Sequence, residues 1–233
     1  MSATAPRDST ALEVRDALAQ PGCPVCRLAL RTVRRYLGSV AYEQVNDPGV
    51  RSDLRAARGF CNQHAFRWLR EARSVLGTAI IYRDVLQAAL EYLEAGRTSD
   101  GARGWLGALL GRADEGEARA VCPACRVQRE AEARYLSALL EVVGDPPGAE
   151  AFEHSDGLCL GHVLSAARMG GPSAGVLLQG TSQRVQQLVA ALDEVVRKED
   201  YRFRHEPRSE AERTAPARAV AWAAGAEGLV PSE

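Results

Sequence analysis

The chain has 233 residues, 46% of them hydrophobic and 25% charged, with a net charge of −1. That length allows one large domain or two small ones. The near-neutral balance excludes a global field that would drive the chain onto nucleic acid or an anionic membrane. Lys198 is the only lysine among the basic residues, so the arginine content reads as coding bias and not as a binding signature.

Residues 1–21 predict a short N-terminal helix. Thr10 followed by Glu13 fits a capping box, and Pro21-Gly22 ends the segment. Asp8, Glu13, Arg15 and Asp16 interrupt any apolar run there, which argues against a secretory signal. No stretch approaches the roughly 18 uncharged apolar residues of a membrane span. The expected compartment is therefore the bacterial cytoplasm, where thiols stay reduced and six cysteines point to metal ligation before disulfides.

From residue 22 the chain reads as a duplication: a first helical repeat at 22–97, a linker at 98–117, a second repeat at 118–199 and a C-terminal arm at 200–233. Cys23 and Cys122, and Cys26 and Cys125, are 99 positions apart; Cys61 and Cys159, and His64 and His162, are 98 apart. Residues around them match too: Pro24 with Pro123, Arg27 with Arg126, Tyr36 with Tyr135, and Gly59 with Gly157.

Each repeat predicts about three helices. Leu30, Val33, Leu37 and Val40 make a helical stripe ended by Asn46-Asp47-Pro48-Gly49, and Leu136, Leu139, Leu140 and Val143 make its counterpart. A second helix carries Phe66, Trp68 and Leu69. A third carries Ile81, Val85, Leu86 and Leu90, mirrored by Leu177, Val185, Leu188 and Leu192. Alternating strand patterns are missing, so the fold class is all-α. In the linker, Trp105, Leu106, Leu109 and Leu110 are expected to dock on the core. The arm, with Tyr201, Phe203 and Trp222, is expected to pack irregularly and end in a short helix.

The cysteines and histidines form one motif written twice. Zinc takes four tetrahedral ligands from thiolate and imidazole. A Cys-x-x-Cys turn places two sulfurs on one side, and a Cys-x-x-His step on a helix places both side chains on one face. The expectation is two zinc ions per chain. Cys23, Cys26, Cys61 and His64 would hold one in the first repeat, and Cys122, Cys125, Cys159 and His162 the other in the second. All six cysteines are used. The competing readings are buried hydrophobic cysteines and a three-Cys, one-His iron–sulfur cluster; the sequence favours zinc over both. Haem c is excluded, because Arg27 and Arg126 stand where that motif needs His. The face made by Arg27, Arg31, Arg34 and Arg35 reads as solvated, and His154 and His205 as ordinary surface histidines.

Gly-Cys-Pro-Val-Cys at 22–26, Gly-Phe-Cys-Asn-Gln-His at 59–64, Cys-Pro-Ala-Cys at 122–125, Gly-Leu-Cys-Leu-Gly-His at 157–162 and Asp-Tyr-Arg-Phe-Arg-His-Glu-Pro at 200–207 together resemble a family of bacterial proteins catalogued as a domain of unknown function. The resemblance covers about Gly22 to Trp222 and implies a helical protein with paired Cys/His motifs. The arm departs from the family pattern: Glu-Pro is followed here by Arg-Ser-Glu-Ala-Glu-Arg, and Trp222 comes later.

Closed Cys3His sites leave no position for substrate, and no nucleophile–base pair, phosphate loop or paired carboxylates stand at a telling spacing. The sequence therefore points away from catalysis and toward an interaction or regulatory protein with a protein partner. A thiol-based redox or metal sensor is the alternative.

Overall fold

The computed structural model describes residues 5–98 and 120–229. Every regular element among them is helical: α1 (Ala5–Leu18), α2 (Pro24–Tyr42), α3 (Pro48–Ala56), α4 (Asn62–Glu71), α5 (Val75–Thr98), α6 (Pro123–Val142), α7 (Pro146–Glu153), α8 (Leu160–Met169), α9 (Pro172–Arg197) and α10 (Glu210–Ala224). The all-α expectation holds. Trp105, Leu106, Leu109 and Leu110 lie outside the described residues. Thr10 and Glu13 fall inside α1, so they do not cap its start.

Among the described residues, the segments 22–97 and 118–199 carry four helices each where the sequence pattern predicts about three. The additions are the short α3 and α7, which begin where the longer helices were expected simply to stop. Asp47 is the N-cap of α3, its carboxylate accepting from Val50 N at 2.8 Å. Asp145 does the same for α7, accepting from Gly148 N at 2.7 Å. A proline follows each cap at the first helical position, where its missing N–H costs nothing. The Asp-Pro that ends one helix thus starts the next.

The described chain divides into two compact units, residues 5–31 with 129–229, and residues 32–98 with 120–128. The boundaries cut across the repeats at 22–97 and 118–199 and fall inside α2 and inside α6. In the first unit, Val14, Leu18, Leu28, Leu136, Leu139, Phe152, Leu158 and Leu177 form one buried cluster. The second unit buries Val33, Leu37, Leu54, Phe60, Trp68 and Ile81. There Trp68 packs on Phe60 with ring centroids 5.6 Å apart and donates its indole N–H to Thr78 Oγ1 at 2.8 Å, which satisfies the one polar atom of a fully buried ring.

The arm is tied down by charge. Lys198, nearly buried, donates to Glu212 Oε2 at 2.7 Å and to the Pro207 carbonyl at 3.0 Å. Arg197 pairs with both Glu194 and Glu206 and lies over the Phe203 ring. These contacts seat α10 through its own first turn. On the arginine face of α2, expected to be solvated, Arg31 pairs with Glu13 at 3.0 Å and Arg34 with Glu71 at 3.4 Å.

Candidate metal centres

All four halves of the motif have one local geometry. Cys61 and Cys159 are the N-caps of α4 and α8, with extended backbone (φ −63°, ψ 165° and φ −71°, ψ 165°). Cys23 and Cys122 stand just before the prolines that open α2 and α6, and their carbonyls accept the first helical bonds, from Arg27 N at 3.2 Å and Arg126 N at 3.1 Å. The second member of each pair, Cys26, His64, Cys125 or His162, then falls three residues on, in the first helical turn. Four helix N-termini are thereby turned, two by two, on the sulfurs. Their unpaired N–H groups and positive dipole ends favour thiolate over thiol.

The eight residues gather into two groups of four, each with its ligand atoms within 4.8 Å of one another. The membership differs from the sequence expectation. Cys23 and Cys26 meet Cys159 and His162, while Cys61 and His64 meet Cys122 and Cys125. The Cys-x-x-Cys of each repeat is completed by the Cys-x-x-His of the other. The expected sets within one repeat, Cys23-Cys26-Cys61-His64 and Cys122-Cys125-Cys159-His162, are therefore corrected. The reason lies in the packing. The first turns of α2 belong to the unit that also holds α8, and the first turns of α6 to the unit that also holds α4, so each pair closes with whatever its own unit supplies.

The spacing suits one tetrahedral ion per group. In the first, His162 Nδ1 lies 3.4 Å from Cys23 Sγ, 3.4 Å from Cys26 Sγ and 3.2 Å from Cys159 Sγ, and Cys26 Sγ lies 3.5 Å from Cys159 Sγ. In the second, His64 Nδ1 lies 3.3 Å from Cys61 Sγ, 3.4 Å from Cys125 Sγ and 3.8 Å from Cys122 Sγ, and Cys61 Sγ lies 3.6 Å from Cys125 Sγ. With zinc–sulfur and zinc–nitrogen bonds of about 2.3 and 2.0 Å, tetrahedral edges come to about 3.8 Å between sulfurs and about 3.5 Å between sulfur and nitrogen. The sulfurs are far outside the disulfide bond length, and all six cysteines are free.

The close-packed thiols and imidazoles of each group shift one another's protonation. Cys26 is held protonated: the hydrogen bonds and negative charge of Cys159 and Cys23 oppose its ionisation, and burial adds to this. Cys125 is pushed up by burial and by Cys122 and Cys61. Cys159, in contact with Cys23, Cys26 and His162, is driven down to the thiolate. Burial works against a charge on His162, but contact with the Cys159 and Cys23 sulfurs outweighs it and raises the imidazole to about 10. His64 is lowered to about 4 by burial and by Arg67. A divalent ion in each group would replace these proton arrangements with three thiolates and one neutral imidazole.

The surroundings of the two groups differ, and this was not legible in the motif. Glu132, nearly buried, places a carboxylate oxygen 3.9 Å from His162 Nε2. The residue at the matching position of the first repeat, 99 earlier, is Val33. His64 Nε2 is buried without a hydrogen-bond partner, and the buried cation Arg67 stands one helical step beyond it on α4. Tyr82 and Tyr36 lie near the second group. Both phenols are raised, Tyr36 to about 12, first by burial and then by the charge of Cys122. At the first group the backbone of Gly225, at φ +82°, closes over the sulfurs: a Cβ there would lie 3.8 Å from Cys26 Sγ and 4.0 Å from Cys159 Sγ. His154, at the end of α7, bonds the Glu150 carbonyl at 2.8 Å, and His205 is exposed; neither joins a group.

The class defined here is an all-helical protein with two buried Cys3His clusters able to hold metal. Over residues 8–227 the chain matches the DUF6062 family, a family of unknown function, and it belongs to that family. It is also similar to an uncharacterised 23.9 kDa protein of the xynA 3′ region in Caldicellulosiruptor sp. (strain Rt8B.4), 26% identical over 195 residues, covering 78% of this chain and 85% of the relative. No solved structure matches it. Among the described residues no helix is long and apolar enough to cross a membrane.

Proposed function

We propose that the chain is a zinc protein whose two Cys3His centres are structural clasps, and that it works as an interaction or regulatory module and not as an enzyme. The observation that carries this reading is the gathering of all six cysteines and two histidines into two four-membered groups at tetrahedral spacing. A closed four-ligand shell leaves no position for a reacting water, so the ion's contribution is to folding. Each clasp joins distant chain: one ties Cys26 to Cys159 across 133 residues, the other Cys61 to Cys125 across 64. Closing loops of that size removes much of the unfolded chain's freedom. A reducing compartment such as the cytoplasm fits six free thiols. The exposed leucines of α5, Leu86, Leu90 and Leu93, support a protein partner.

The test is metal content of the full chain purified under reducing, chelator-free conditions, read together with its absorption spectrum. About two zinc per chain without visible absorbance supports the reading. Iron with visible absorbance would replace it with an iron–sulfur protein, and no metal would remove it.

A further inference from the structure

The two groups have the same ligands and one half-buried cysteine each, Cys23 and Cys61; what sets the first apart is what lies alongside it. Beside the Cys23-Cys26-Cys159-His162 group lies a cavity of about 90 Å³, with Cys23, Leu158, Cys159, Ala221 and Trp222 in its wall. That is room for several water-sized molecules. Asp156, Arg184 and Arg218 are shared between this cavity and a larger recess of about 520 Å³ that opens to the surface. Trp222 carries an indole N–H that is buried and has no hydrogen-bond partner. Cys26 is fully buried and covered by Gly225, and Cys159 is nearly so, whereas Cys23 is only half-buried. Of the two cysteines in the cavity wall, Cys23 is the more exposed.

Charge separates the groups further. Glu132 places a buried carboxylate oxygen 3.9 Å from His162 Nε2. Arg67, paired with Glu71 at 3.6 Å, stands beside His64 in the other group and adds to burial in disfavouring protonation of its ring. Neighbours of this kind tune a metal's ligands.

Building on the zinc reading above, we propose that the Cys23-Cys26-Cys159-His162 centre is a site of oxidation by small hydroperoxides, with Cys23 the sulfur attacked and the cavity beside it the entry, while the second centre serves as an inert clasp. Zinc holds Cys23 as thiolate. The thiolate sulfur attacks one peroxide oxygen and the O–O bond breaks. The sulfur becomes a sulfenic acid, taking OH, and the other oxygen leaves as hydroxide or alkoxide. A neighbouring thiolate, Cys159 or Cys26, then attacks the sulfenic sulfur; an S–S bond forms and hydroxide leaves. Two thiolates are oxidised by two electrons, the peroxide is reduced by two, and the centre loses two ligands and with them its zinc.

The experiment treats the full zinc-loaded chain with hydrogen peroxide, follows zinc with a chromogenic chelator and maps disulfides by peptide mass spectrometry. Expected is one zinc of the two released in a separate fast phase, with a disulfide from Cys23 to Cys159 or Cys26 and with Cys61, Cys122 and Cys125 still reduced. Ala221→Phe, on the exposed side of α10, narrows the cavity without touching a ligand and slows that phase while leaving zinc content and melting temperature unchanged. A bulky hydroperoxide is slower than hydrogen peroxide in the parent chain. Release of both zincs at one rate, or first oxidation at Cys61, Cys122 or Cys125, overturns the proposal and leaves the zinc reading intact. A chain that holds no zinc before peroxide is added overturns both.

Discussion

Cys26 Sγ lies 3.5 Å from Cys159 Sγ although 133 residues separate them, and of the three residues grouped with Cys159 only His162 belongs to its own repeat. The two centres are nested in sequence: the 61–64 and 122–125 pair closes inside the 23–26 and 159–162 pair. Cysteines that look like neighbours, Cys26 and Cys61, serve different ions.

This pairing sets which ligand losses go together. Cys23→Ser and Cys159→Ser each remove the same zinc, so the double variant retains one zinc per chain, as do both singles. Cys23→Ser combined with Cys61→Ser retains none. Metal analysis of the four proteins checks this, and retention of one zinc by the Cys23/Cys61 pair would restore the arrangement within repeats.

Metal removal should cost stability directly. Apparent zinc binding at structural sites runs to about 10–16 kcal/mol, and that free energy is available only to the folded chain. Chelation under reducing conditions is expected to lower the melting temperature and helical content, with recovery on adding back zinc. Unchanged melting and circular dichroism after complete removal would show that the helices stand without the clasps.

His64 gives the metal-free protein a pH dependence. Its folded pKa, about 4, lies below the ordinary value of 6.5, so the unfolded chain binds more protons between them. Stability is therefore full above about 6.5 and falls as pH drops toward about 4. His162 acts oppositely: its contribution is full below about 6.5 and is lost as pH rises toward about 10. Urea midpoints of the chelated protein across pH 4–7 should fall on acidification, and His64→Gln should flatten that slope.

Arg184 holds together the end of α7. It donates to the carbonyls of Ser155 at 2.8 Å, Glu153 at 2.7 Å and Phe152, and its guanidinium lies over the Phe152 ring. The helix C-terminus leaves carbonyls here without intrahelical partners, and Arg184 adds to the bonds that Ser155 makes to Phe152. Arg184→Ala is expected to cost about 2–4 kcal/mol, the range for losing several charged hydrogen bonds at a half-buried site. Denaturant midpoints measure this. Zinc content is expected to stay unchanged, since no ligand is lost.

Gly148 has no room for a side chain. A Cβ there would lie 1.8 Å from the Val142 carbonyl oxygen and 2.6 Å from its carbon, both backbone atoms. Gly148→Ala must therefore shift α6 or α7, at a cost on the order of 3 kcal/mol. A variant that melts with the parent would show that the turn at Asp145 yields easily.

The helical class and the eight Cys and His residues of the two groups were legible in the sequence. Stripes such as Val33, Leu37 and Val40 have a period set by the backbone alone, and Cys-x-x-Cys with Cys-x-x-His needs only a helix N-terminus to aim two side chains one way. The short helices α3 and α7 could have been read from Asp47-Pro48 and Asp145-Pro146, since the cap and the first-turn proline are local signals. The division of ligands between ions could not. All four motif halves share one local geometry, so nothing within a few residues of Cys26 distinguishes Cys61 from Cys159 as a partner. Burial decides between them: α2 and α6 each begin in one unit and end or continue in the other, and only that packing brings Cys159 and His162 to Cys23 and Cys26. Glu132 beside one imidazole and Arg67 beside the other follow from the same packing, which makes two identical motifs into two different sites.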